Sequence, residues 1–127
     1  MSKLLGIYEM GYERVEVRYD TGTASSQVTL LPKGKNTMVM TIGVKQDRWY
    51  KVLSGLMHEA LEVALDRHHS RWVLGVDMSE DTGACLFVCD HATFADAVAV
   101  SADLISACQL DLNKAWRASR KKVKGKK

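Results

Sequence analysis

Residues 47–69 read DRWYKVLSGLMHEALEVALDRHH and have the clearest helical pattern in the chain. Its apolar side chains recur at the i, i+3, i+4 spacing of a helix with one buried stripe. They are Trp49, Val52, Leu53, Leu56, Met57, Ala60, Leu61, Ala64 and Leu65. Asp47 can cap the first turn, and Arg67 with His68 and His69 lies at the negative end of the helix dipole. The stretch therefore predicts a long amphipathic helix.

Alternation of apolar and polar side chains predicts strands before this helix. The alternating stretches are residues 4–8, 12–19, 28–31 and 38–44. In the second of them Val15, Val17 and Tyr19 share one face, and arginine and glutamate side chains occupy the other. Turn-forming residues separate the stretches, which favours pairing between sequence neighbours. We therefore expect an antiparallel sheet.

Two short apolar runs follow the helix, at residues 72–76 and 84–89, and a turn-forming stretch separates them as in a β-hairpin. Asp90 or Thr93 can cap a final helix that ends near Ser119. The buried stripe of that helix is expected to hold Phe94, Val98, Ile105, Cys108, Leu112 and Trp116. The order of elements predicts an α+β fold, an antiparallel sheet of about five strands with two long helices packed on one face.

Charge divides the chain into two parts. From Lys114 onward there are eight of the 18 Lys and Arg residues and no acidic residue, which leaves residues 1–113 with a net charge of −5. The 127 residues include one proline and no Gly/Ser-rich linker, so we expect a single domain over residues 1–116. Residues 117–127 are expected to form a basic, disordered tail.

The composition is that of a globular domain, with 46% hydrophobic and 26% charged residues. No apolar run approaches the roughly 18 residues of a membrane span, and the N-terminal MSKLLGIYEM has too short an apolar core for a signal peptide. The odd number of cysteines, Cys85, Cys89 and Cys108, favours free thiols over a disulfide framework. We therefore expect a cytoplasmic protein that makes no membrane contact.

The middle of the long helix carries a candidate metal site, residues 58–62, which read HEALE. This stretch resembles the His-Glu-x-x-His helix of zinc hydrolases, with Glu62 in the place of the second histidine. The resemblance implies that His58 and Glu62 bind zinc, and that Glu59 is the catalytic base that activates water. On this hypothesis the cofactor is Zn²⁺.

A third zinc ligand could come from His91, which follows the last predicted strand, or from His69. The alternative is a solvated helix face that binds no metal, in a protein with no cofactor. The sequence holds no Gly-rich phosphate loop and no serine elbow. An enzyme with this sequence would therefore be a zinc-dependent hydrolase.

The basic tail is a second candidate site. Its side chains could contact the phosphates of a nucleic acid without reading base sequence, since Trp116 alone offers a ring for stacking. The candidate nucleic-acid-binding residues are Arg117, Arg120, Lys121, Lys122 and Lys124. The alternative is a segment that only increases solubility.

The layout as a whole is similar to that of small uncharacterised phage or prophage proteins. The shared features are a short acidic α+β domain, a His-Glu helix, a strand that ends in Asp90 and His91 with Phe94 after it, and a basic end. The resemblance covers most of the chain. It implies a viral accessory protein or inhibitor that binds something in a bacterial host.

Binding through the folded surface is the function that the sequence favours, because no convincing nucleophile or cofactor loop is present. The expected partner-binding patch is acidic and consists of Asp77, Glu80 and Asp81 in the hairpin turn with Glu59, Glu62 and Asp66 on the long helix. Such a patch would attract a basic host protein, for example one in a nucleic-acid-handling complex. Zinc-dependent hydrolysis is the alternative function, and nucleic-acid binding by the tail is the third.

Overall fold

The computed structural model describes residues 1–30, 32–34, 36–67, 71–73, 85–87 and 89–124. In chain order, these residues form β1 (Ser2–Met10), β2 (Glu13–Asp20), β3 (Gln27–Thr29), β4 (Met38–Gly43), α1 (Trp49–Arg67), β5 (Arg71–Val73), β6 (Cys85–Phe87) and α2 (His91–Lys124). The predicted α+β class is confirmed.

Four of the strands form a mixed sheet in the order β1-β2-β4-β3. β1 and β2 are antiparallel, and in the turn between them Gly11 has a φ of 63°, a left-handed conformation that favours glycine. β3 is antiparallel to β4, whereas β4 runs parallel to β2. The prediction of an antiparallel sheet of about five strands is therefore wrong for the described residues, both in its pairing and in its number of strands.

Burial explains why β4 lies between β2 and β3. Met38, Met40 and Ile42 of β4 are all buried, whereas β3 has three residues and lies just before Pro32. A strand with such an apolar face would bury less apolar surface at an edge of the sheet than inside it. Proline has no N–H to donate to a neighbouring strand, so it occurs near sheet edges. β3 therefore takes the edge, and β4 lies beside β2. Turn residues alone do not encode this choice.

β5 and β6 pair antiparallel as a separate two-stranded sheet. The predicted hairpin after the long helix is confirmed in these residues. The acidic turn that joins its two strands lies outside the described part of the chain.

One face of the four-stranded sheet carries the core. The strand register places Tyr8, Val15 and Met38 side by side on this face. Both helices contribute to the same buried cluster, which contains Val17, Met40, Ile42, Val52, Leu56, Ala60, Leu104, Cys108 and Leu112 among others. The Tyr8 hydroxyl donates a hydrogen bond to Asp111 of α2 at 2.7 Å. Burial and the Asp111 carboxylate raise the pKa of Tyr8, so the phenol keeps the proton that it donates.

The end of α2 holds the start of α1. The Trp116 indole N–H and the Arg120 guanidinium both donate to the Gln46 carbonyl, at 2.9 and 3.0 Å. The Arg120 guanidinium also lies 5.4 Å from the Trp116 ring centre, and the Trp49 and Trp116 ring centres are 5.9 Å apart. These contacts fix the relative position of the two helices at one end.

α2 begins after Asp90, whose carboxylate accepts a hydrogen bond from the Thr93 backbone N–H at 2.8 Å. That bond lowers the pKa of Asp90 and confirms the predicted cap. The helix continues through Lys124, beyond its predicted end near Ser119. Residues 117–124 of the predicted tail therefore belong to α2.

By length and composition, residues His91–Lys121 of α2 form the one helix in the described part of the chain that could cross a membrane. Core helices of globular proteins pass the same test, and Ala97, Leu104 and Cys108 of α2 are fully buried against the rest of the fold. This is weak evidence for a membrane, and the expectation of no membrane contact stays a prediction.

Three apolar side chains that were expected in the core lie at the surface instead. Met57 is 50% exposed, and Phe94 and Val98 are 45% exposed each. Cys108 and Leu112, in the same predicted stripe of α2, are fully buried as expected. The rest of the fold therefore covers only part of the apolar stripe on each helix, and the remaining part faces solvent.

Candidate binding groove and metal centre

An open groove of about 520 Å³ lies between α1 and α2. Its walls are Tyr50, Leu53, Ser54, Met57, His58 and Leu61 of α1 with Val98, Ser101, Ala102 and Ile105 of α2. The two helices run in opposite directions, because Trp49 at the start of α1 contacts Trp116 near the end of α2, while Leu61 shares the groove with Val98.

The groove surface is almost entirely apolar. Tyr50 is 66% exposed, and Met57 and Val98 are about half exposed. The Ser101 hydroxyl in the wall donates to the Ala97 carbonyl at 2.8 Å, so it presents little unsatisfied polarity. Large apolar side chains that share one exposed surface are typical of an interaction site.

Three potential metal ligands converge beside this groove. One ligand atom each from His58, Glu59 and Glu62 lies within 4.8 Å of the other two. The His58 Nε2 atom is 3.1 Å from a Glu62 carboxylate oxygen, one helical turn away. His58 also lines the groove, so the cluster and the groove share this residue, whereas Glu59 and Glu62 are not among the lining residues.

Glu59 is the unusual member of the cluster, since only 8% of the residue is exposed. No hydrogen bond to its carboxylate is seen among the described residues, and since no fully buried side-chain oxygen there lacks a partner, the carboxylate oxygens still reach solvent. Burial raises the pKa of Glu59, and the negative charge of Glu62 raises it further, while His58 acts in the opposite direction. The carboxylate is therefore held in a position that disfavours its charged form unless a cation is present.

The structure brings three of the predicted site residues together and leaves others apart. His58, Glu59 and Glu62 form the cluster, and within the described part of the chain His91 does not join it. His91 is the exposed first residue of α2. Asp66 lies one turn beyond Glu62 on α1 and is partly buried.

The turn half of the predicted acidic patch, Asp77, Glu80 and Asp81, lies outside the described residues, and so does His69. The helix half differs from the expected open surface, because Glu59 is nine-tenths buried. The acidic patch therefore stays a prediction.

Arg120, one of the predicted nucleic-acid-binding residues, contacts the Gln46 carbonyl and the Trp116 ring. Arg117 and Lys121 are exposed on α2. The side chains of the two remaining predicted lysines lie outside the described part of the chain. Nucleic-acid binding by this end of α2 stays a prediction.

The sequence did not reveal the groove, although part of the signal was present. The apolar stripe of α1 holds nine residues, more than contact with one neighbouring layer requires. The excess apolar residues are those that line the groove, such as Leu53, Met57 and Leu61.

Comparison with models of known protein families, with curated proteins and with solved structures finds no match. Neither the resemblance to zinc hydrolases nor the resemblance to small phage proteins gains support from it. The functional assignment therefore rests on the geometry of the groove and the cluster.

Proposed function

We propose that the protein is a binding protein that receives an amphipathic, basic helix of a partner protein in the groove between α1 and α2. The exposure of large apolar side chains around the groove, among them Tyr50, Met57 and Val98, is the observation that carries the proposal. Covering such side chains removes apolar surface from water and favours association.

The open shape of the groove favours a helix over a small molecule. A small-molecule pocket typically buries about 70–90% of its ligand, which requires walls on most sides. Two antiparallel helices instead leave a channel into which a third helix can pack its side chains. The α1 wall from Tyr50 to Leu61 is about 16 Å long, which matches about three turns of a helix. Met57 suits this role because its flexible thioether adapts to an irregular surface.

Charge around the groove favours a basic partner. Among its described lining residues none is Lys or Arg. Glu62 does not line the groove, but its carboxylate lies 3.1 Å from His58 of the wall, so an acidic side chain lies close to the groove. A lysine or arginine that flanks the apolar face of a partner helix could pair with the Glu62 carboxylate and orient the helix.

A designed peptide tests the proposal. A labelled helical peptide of about 18 residues, roughly five turns, would carry leucines at i, i+3, i+4 spacing and lysines elsewhere. We expect it to bind with a micromolar dissociation constant in fluorescence anisotropy. A matched peptide with glutamates in place of the lysines should bind at least about tenfold more weakly, because an acidic side chain lies close to the groove.

Two results would contradict the proposal. Equal affinity for the two peptides would exclude a preference for a basic partner, and absence of binding by both would exclude the groove as a helix site. Sedimentation of the protein alone adds a third check. A dimer that dissociates on Met57→Lys would mean that a second copy occupies the groove.

Metal-dependent hydrolysis is the second candidate function, and the position of His58 favours it. His58 belongs both to the groove wall and to the cluster, so an ion bound by His58 would lie next to the groove wall. In this candidate His58 and Glu62 hold zinc, and Glu59 is the base that takes a proton from water. It requires that Glu59→Gln keep the metal and abolish turnover.

A further inference from the structure

We infer that His58, Glu59 and Glu62 together bind one divalent transition metal ion of the zinc type, with Glu59 as a ligand. The inference goes beyond the groove, since it does not depend on what the groove receives. It also differs from the hydrolase candidate, in which Glu59 stays free of the metal.

The spacing of the three ligand atoms suits such an ion. Nitrogen and oxygen ligands lie about 2.1 Å from zinc, which places neighbouring ligands of a tetrahedral site about 3.4 Å apart. The His58 and Glu62 atoms are already 3.1 Å apart, and all three ligand atoms lie within 4.8 Å of one another. Small side-chain rotations, with no movement of α1, would complete the site.

The largely buried Glu59 gives a second and independent reason. Only 8% of the residue is exposed and its carboxylate has no hydrogen-bond partner among the described residues, yet no fully buried side-chain oxygen there lacks a partner, so the carboxylate oxygens still reach solvent. A carboxylate that has lost part of its hydration is disfavoured in its charged form. A cation at the point where His58 and Glu62 converge would offset this cost. The side chains of His58 and Glu62 are 70% and 26% exposed, which leaves a path for the ion to enter.

The ligand types identify the class of ion. One imidazole with two carboxylates suits zinc, cobalt or nickel, whereas magnesium and calcium prefer sites made of oxygen alone. Three protein ligands leave at least one coordination position for solvent or for another ligand. Because His58 lines the groove, that position would lie near it.

Titration calorimetry with zinc, and visible absorption with cobalt, test the inference on metal-free protein. We expect one ion per chain and cobalt absorption bands typical of a nitrogen- and oxygen-ligated site. The variants His58→Ala, Glu59→Gln and Glu62→Gln should each weaken zinc binding by roughly tenfold or more. His91→Ala and Asp66→Asn are matched controls that should leave the affinity unchanged, since neither residue belongs to the cluster.

Thermal melting gives a readout that needs no ligand other than the metal. Glu59→Gln should raise the melting temperature of the metal-free protein, because a neutral amide loses less hydration energy than a carboxylate in this largely buried position. Zinc should raise the melting temperature of the wild type and leave that of the variant nearly unchanged. Circular dichroism of every variant establishes that it is folded.

Three results would overturn the inference. They are no zinc or cobalt binding by the wild type, full zinc affinity in Glu59→Gln, and zinc binding that survives replacement of all three residues. The second result would favour the hydrolase candidate. Peptide binding to the groove should persist when a chelator removes the metal, because the groove proposal does not depend on the metal. A failure of the metal inference therefore leaves the groove proposal standing.

Discussion

Replacing Gly43 with alanine should lower the free energy of unfolding by about 3 kcal/mol, the upper end of the usual cost of overpacking. The added Cβ would lie 2.5 Å from the Ala24 carbonyl carbon, 2.5 Å from the Ser25 carbonyl oxygen and 2.7 Å from the Thr23 carbonyl oxygen. All three are backbone atoms, so no side-chain rotation relieves the contact. Urea denaturation followed by circular dichroism measures the change.

The segment that Gly43 contacts cannot move away freely. The Val44 N–H donates to the Asp20 carbonyl at 2.9 Å, and the Lys45 N–H donates to the Thr23 carbonyl at 3.0 Å. The Gly43 N–H itself donates to the Ser26 hydroxyl at 3.1 Å. These bonds hold residues 20–26 against the end of β4, so a displaced segment would lose them.

Gly55→Ala is the matched control. Its added Cβ would meet the Ser26 hydroxyl oxygen at 2.8 Å, and that side chain can rotate away at the cost of the hydrogen bond that it accepts from the Gly43 N–H. Alanine also stabilises the interior of a helix by about 1 kcal/mol relative to glycine, and this offsets the cost of rotating the Ser26 side chain. We expect a net change below about 1 kcal/mol. Equal destabilisation by the two substitutions would contradict the close packing assigned to Gly43.

Placing lysines at Met57 and Val98 together should weaken binding of the lysine-bearing peptide by roughly 30-fold. Each side chain is about half exposed, so binding would remove its remaining surface from water. The two contributions together amount to about 2 kcal/mol. Two new positive charges would also repel a basic peptide. Because both positions already face solvent, the fold should tolerate the change, and fluorescence anisotropy measures the effect.

The double variant Ile7→Lys with Leu110→Lys provides the control. These residues are 59% and 73% exposed and do not line the groove, so the control adds the same charge to a comparable apolar surface. The control variant should bind the peptide with an affinity within about twofold of the wild type at a salt concentration that screens long-range repulsion between the added lysines and the basic peptide. A loss of affinity as large as that of the groove variant would show that net charge, not the groove, controls binding.

Local periodicity was enough to predict the helices and strands. The apolar spacing in residues 47–69 predicted α1, which spans Trp49–Arg67. Alternation at Val15 and Val17 predicted β2, where both side chains are fully buried. Each of these patterns depends on residues within one element, so the sequence reports it directly.

Strand order depends on competition between elements that are distant in sequence. β4 lies inside the sheet because its buried methionines and Ile42 need neighbours on both sides, while the short β3 does not. Periodicity also identifies an apolar face without saying what covers it. Met57 and Val98 therefore look like core residues in the sequence and lie at the surface in the structure.

The cluster was predictable in part. His58 and Glu62 are four residues apart, a spacing that brings side chains together on any helix. Glu59 was expected in the polar arc, but it lies one turn before Val63 and two turns after Val52, both of which are buried. Its burial follows from how α1 packs as a whole. The position of Glu59 directly after His58 in the sequence does not indicate whether Glu59 is buried.

Chemical-shift mapping of the ¹⁵N-labelled protein, titrated with the lysine-bearing peptide, tests the binding proposal most directly. The largest amide shifts are expected in residues 53–61 of α1 and 98–105 of α2, the two walls of the groove. The outer face of the sheet around Ile7 should change little. Largest shifts around Ile7, or at the basic end of α2 near Arg117, with the groove residues unchanged, would contradict the proposal.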